Sequence, residues 1–75
     1  MTLDKLGVGN SGIITSVGGE GALRLRLLDM GLTPRASVTV VKEAPLGDPI
    51  QIKIRGYLLS LLISEAKRIE VEEIK

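Results

Sequence analysis

Seventy-five residues with ten basic and nine acidic side chains and a formal net charge of +1 describe one small, nearly neutral domain, which buries only about 60 to 65% of its unfolded surface. The chain has no cysteine and no histidine, which excludes disulfides and thiolate metal sites and removes the commonest transition-metal ligand and general base. No global field gathers nucleic acid or an anionic membrane. Hydrophobic content is 44% with Tyr57 as the single aromatic, so leucine, isoleucine and valine must fill the core. The first residues lack a basic segment followed by an apolar one, and the longest apolar stretch, Leu58 to Ile63 with Ser60 inside it, is too short to span a bilayer. The expectation is a soluble, cytoplasmic chain without direct membrane insertion.

Leu3 and Leu6 are placed to dock on the core before a glycine-rich turn. Gly7, Gly9 and Gly12 satisfy Gly-x-Gly-x-x-Gly, but no strand precedes them and β-branched residues rather than a helix follow, so the pattern reads as a turn and not as a nucleotide cradle. Ile13 to Val17 reads as a first strand. Gly18, Gly19 and Gly21 break it, and Glu20 stands where a carboxylate favours a helix N-terminus.

The stretch Ala22 to Pro34 organises the chain. Gly31 and Pro34 supply a helix stop, leucine and arginine are good helix formers, and β-branched residues are absent from 22 to 31. Leu23, Leu25 and Leu27 also alternate with Arg24 and Arg26 as a half-buried strand would, yet the stop signals favour the helix. On a helix, Leu23, Leu27 and Met30 share one face, while Leu25 and Leu28 fall nearly opposite. That second face is either covered, for instance by the N-terminal segment through Leu3 or Leu6, or left as a contact patch.

Ser37 to Glu43 reads as a strand with Val38 and Val40 on one face and Thr39 and Val41 on the other. Ala44 to Pro49 is a projecting loop with an exposed tip. Ile50, Ile52 and Ile54 alternate with polar residues, Gly56 and Tyr57 turn the chain, and Leu58 to Ile63 forms a fourth strand. Ser64 caps a short helix through Ile69, and Glu70 to Ile74 closes the fold with Val71 and Ile74 inward. Five short strands with two helical insertions predict a mainly β domain, either a small barrel or two tightly packed sheets.

Four blocks, Arg26 to Pro34, Ala44 to Pro49, Gly56 to Leu61, and Glu65-Ala66 followed by Ile69, together resemble the ferrous iron transport protein A (FeoA) family along nearly the whole chain. Arg35 and Ala36 depart from it where a glycine turn is typical, and Leu62 departs where arginine is common. The resemblance implies one domain over residues 1 to 75. Its fold would be a small SH3-like barrel of about five strands, with one principal helix after the first strand and a short helix before the last. It further implies a cytosolic accessory protein that binds and regulates the FeoB membrane GTPase transporter. The same barrel serves as an interaction module in iron-dependent repressors.

The expected partner-binding residues are Leu25 and Leu28, with Pro45, Leu46 and Asp48 on the loop, facing the transporter or a second copy of the chain. A direct Fe²⁺ site would have to use oxygen ligands such as Asp29, Glu43 or Asp48, which form no evident cluster, so no metal site and no cofactor is expected beyond weak Fe²⁺ association. Lys53 and Arg55 on one strand face, with Arg35 and Lys42 near, are a thin basis for RNA binding beside one tyrosine, and strand-edge protection explains them equally. Enzymatic chemistry is not expected. Ser60 and Ser64 have no histidine to activate them, Glu72 and Glu73 lie on opposite strand faces, and Glu70 and Glu72 read as a solvated side.

Overall fold

The computed structural model describes residues 1–74. A 3₁₀ turn, Leu3–Lys5, leads into β1 (Ser11–Val17), α1 (Gly21–Asp29), β2 (Ser37–Glu43), β3 (Ile50–Ile54), β4 (Tyr57–Leu61), α2 (Ile63–Ala66) and β5 (Ile69–Ile74). The strands form one antiparallel sheet in the order β4-β3-β2-β1-β5, not two. One face of every strand feeds a common core of Ile14, Val17, Val38, Val40, Ile50, Ile52, Ile54, Leu61, Ile69 and Val71, closed by Leu3, Leu6, Leu27 and Leu32. A single sheet that buries one face largely against itself has to curl.

Two bulges supply the bend. Between Ile14 and Ser16 the pairing with β5 slips by one residue, so Ile14 and Val17, three apart, both point inward. Between Val40 and Lys42 the pairing with β3 slips likewise and leaves Val41 exposed. β2 and β3 contain the strands expected from β-branched alternation. β1 starts earlier than expected because Ser11 and Gly12 gain partners on both sides, Thr39 and Val38 of β2 and Ile74 and Glu73 of β5.

The helix reading of 21–29 holds over the strand alternative. Its end is a Schellman motif: Leu32 N–H donates to Leu27 C=O at 3.1 Å and Gly31 N–H to Leu28 C=O at 3.0 Å, with Gly31 at φ 96°. Leu27 and Leu32 are both fully buried, the apolar contact that accompanies this cap.

Three expectations need correction. The β3–β4 turn is Arg55-Gly56, both at positive φ as a tight two-residue hairpin requires, so Tyr57 belongs to β4 and Leu62 and Ile63 lie beyond it. α2 is a single turn that begins at Ile63, and its first orphan donor is met by Glu65 rather than by Ser64: Leu62 N–H donates to Glu65 Oε1 at 2.9 Å. Ile74 is exposed, because β5 passes the end of the core after Val71.

Candidate functional site

α1 sorts its leucines differently from a simple helical wheel. Leu27 is fully buried; Leu23, Leu28 and Met30 are half-buried and pack against the core; Leu25 is 60% exposed. Leu28 therefore belongs to the core side, and the surplus apolar surface of the helix reduces to Leu25. The N-terminal segment does not cover Leu25: Leu3 and Leu6 are themselves buried, and the turn that carries Leu3 lies against α2 and β5.

The loop between β2 and β3 is closed by Ala44 N–H donating to Pro49 C=O at 3.0 Å and tightened by Gly47 N–H donating to Ala44 C=O at 2.7 Å. Pro45 is exposed, and Leu46 at the tip is 96% exposed. Asp48 has a structural task, since its Oδ1 accepts the Ile63 N–H at 3.0 Å and so ties the loop to the start of α2.

That tie extends further. Glu65, nearly buried, uses Oε1 to cap α2 and Oε2 to pair with the guanidinium of Arg26 on α1. Loop, α2 and α1 are thus linked in series through Asp48, Ile63, Leu62, Glu65 and Arg26. Leu62, next to the cap, is 51% exposed. Glu65 was missed as a connecting residue. The signal was a glutamate three residues into a helix whose N-cap, Leu62, has no polar side chain of its own.

The basic residues do not assemble as expected. Arg55 leaves the outward face of β3 at the hairpin and donates to Gly31 C=O and to Thr33 Oγ1, while the Tyr57 hydroxyl donates to Met30 C=O. Both side chains therefore hold the end of α1, with Lys53 left alone on the outer face of its strand. Among the described residues no three acidic side chains converge as a metal ligand set. Asp29 and Glu43 are exposed at the ends of α1 and β2. Two concavities are open: about 190 Å³ bordered by Lys42, Glu43, Pro49, Gln51 and Ser60, and about 350 Å³ bordered by Gly19, Glu20, Leu23 and Arg68.

A loop tied to two helices, with exposed leucines on the loop and on α1, suits protein contact. The FeoA domain family profile matches residues 1–73. The chain belongs to the FeoA family. A Porphyromonas gingivalis fusion of Fe²⁺ transport protein A with the Fe²⁺ transporter FeoB is 42% identical over 74 residues, which is 99% of this chain and 9% of that protein. Iron(II) transport protein A of Clostridium thermocellum superposes with a TM-score of 0.94 at 38% identity, covering 99% of this chain and 46% of that one. The FeoA of Stenotrophomonas maltophilia, solved with zinc and described as a prokaryotic SH3 domain protein, gives a TM-score of 0.85 at 32% identity over 96% of this chain and 89% of its own. The fold is thus the SH3-like one expected. A manganese-dependent transcriptional repressor shares it at 16% identity with a TM-score of 0.90, over 99% of this chain and 36% of the repressor, a likeness of fold alone. The chain spans less than half the length of the fusion protein and of the C. thermocellum chain.

Proposed function

We propose that this FeoA-family chain is a cytoplasmic accessory domain of ferrous iron uptake that binds and regulates an FeoB-type membrane GTPase transporter through protein contacts, without catalysis of its own. The observation that carries the reading is the fusion protein, in which a segment 42% identical to this chain is joined to FeoB in one polypeptide. A covalent link holds two modules at high effective concentration, and a separate chain reaches the same association by binding. Leu25 on α1 and Leu46 on the loop are the exposed apolar side chains offered to the transporter, with Pro45 beside Leu46, Asp48 tying the loop to α2, and Leu28 half-buried against the core.

Calorimetry of the purified chain against the cytosolic GTPase domain of its cognate transporter, loaded with GTP or GDP, tests this. Saturable binding is expected in at least one nucleotide state. No binding to either form, and none to the intact transporter, contradicts it.

A further inference from the structure

The sheet has two edges, and the chain treats them differently. Along β5 the N-terminal segment adds a partial sixth strand: Met1 C=O accepts from Val71 N–H at 2.8 Å, the Met1 ammonium donates to Val71 C=O at 3.3 Å, and Thr2 bridges Glu70. β5 itself carries Glu70, Glu72 and Glu73. Coverage and charge are the usual means of blunting an edge.

β4 has neither. Its sequence, Tyr57-Leu-Leu-Ser-Leu61, contains no charge and no proline, and its register with β3 runs without a bulge. The two-residue hairpin closes on the Ile54–Tyr57 pair, so the ladder bonds to β3 fall at Tyr57, Leu59 and Leu61. The N–H and C=O groups of Leu58 and Ser60 therefore turn to the open side, where among the described residues no backbone group meets them. Leu58 is 55% exposed and Leu59 half-buried.

We propose that β4 pairs antiparallel with β4 of a second copy of this chain about a two-fold axis at Leu59, joining the two sheets through the free backbone groups of Leu58 and Ser60.

The strand is complementary to itself, which a two-fold interface demands. With Leu59 on the axis, Leu58 of each copy stands opposite Ser60 of the other. Each such pair exchanges two hydrogen bonds, and the axis repeats the set. Tyr57 stands opposite Leu61 on the inner side, so every facing pair is neutral. The nearest charge on the outer face is Lys53, the β3 partner of Leu58. The two copies of Lys53 lie on different cross-strand rows and three strand spacings apart, roughly 15 Å, which is beyond the screening length at physiological salt. A net charge of +1 per chain adds little repulsion. Pairing of β4 with β5 of a neighbour meets Met1, Thr2 and the glutamates instead, and would propagate without closing. The contact is small, so the dimer is weak.

The test combines sedimentation equilibrium from micromolar to millimolar chain with NMR amide exchange over the same range. The expected result is a reversible dimer whose formation slows exchange at the Leu58 and Ser60 amides. Leu58→Lys, at an exposed position, should keep the fold by circular dichroism and weaken dimerisation at least about tenfold. It should leave binding to the transporter's GTPase domain unchanged, which separates this proposal from the preceding one. A chain that stays monomeric at millimolar concentration overturns the proposal. So does a dimer whose Leu58 and Ser60 amides exchange as freely as in the monomer, or protection of these amides that appears only when the GTPase domain is added.

Discussion

Arg35 adopts a backbone conformation that its side chain disfavours. It follows Pro34 in a turn closed by Ala36 N–H donating to Thr33 C=O at 3.1 Å, and its φ of 77° is the left-handed value required at the third position of a type II turn. The turn is anchored on both sides to β1, with Arg35 N–H donating to Ile14 C=O at 2.7 Å and Ile14 N–H to Ala36 C=O at 2.9 Å. The sheet therefore holds a geometry that the residue alone would not choose. Left-handed backbone costs a side-chain-bearing residue about 1–2 kcal/mol, and glycine returns part of this as extra unfolded-state entropy. Arg35→Gly should thus stabilise the chain by about 0.5–1 kcal/mol, read as a higher denaturation midpoint at unchanged slope. Gly31 has no such latitude, since a Cβ there would stand 2.7 Å from the Tyr57 hydroxyl.

Among the elements, α1 separates buried from exposed leucines within three residues. Leu27→Ala should cost about 2–4 kcal/mol, because it empties a fully enclosed site. Leu25→Gln should stay within about 0.5 kcal/mol of the parent; urea unfolding of both variants checks the contrast. α2 depends on Glu65, which caps the Leu62 N–H and pairs with Arg26 on α1. Glu65→Ala should lower stability by about 1–2 kcal/mol and raise amide exchange at Leu62 and Ile63 first. β2 and β3 were legible from their period of two, because Ile50, Ile52 and Ile54 alternate with polar residues, Val38 and Val40 share one strand face, and all five are buried. The limits of β4 and α2 were not: the signal for the first is tertiary, and the second starts at a leucine that has no polar side chain to mark it as an N-cap. Arg55 tolerates a positive φ while its guanidinium is held by Gly31 and Thr33, and Leu62 begins a helix because Glu65 reaches back to it.

At the scale of the molecule, the architecture was readable from five short strands and two helical insertions, while the exposure of the residues proposed for contact was readable only in part. Leu25, Pro45 and Leu46 are exposed as expected; Leu28 packs inward, and Asp48 is engaged in holding the loop to α2. Leu28 lies about 100° from Leu27 on a helical wheel and falls outside the core only if the helix touches that core along a narrow stripe. α1 contacts the core along a wider arc, with Leu23, Leu28 and Met30 flanking Leu27. The connection from Asp48 through Glu65 to Arg26 crosses three elements and has no local pattern. The proposed function has this small SH3-like domain contacting FeoB through exposed leucines on α1 and the loop. The most direct measurement is the affinity of the chain for the cognate FeoB GTPase domain, for the parent and for the double variant Leu25→Gln, Leu46→Gln. The expected result is saturable binding by the parent and at least about a tenfold loss in the variant, with the fold intact by circular dichroism. Equal affinity of parent and variant would contradict the assigned surface, and no binding to the GTPase domain or to the intact transporter would contradict the function itself.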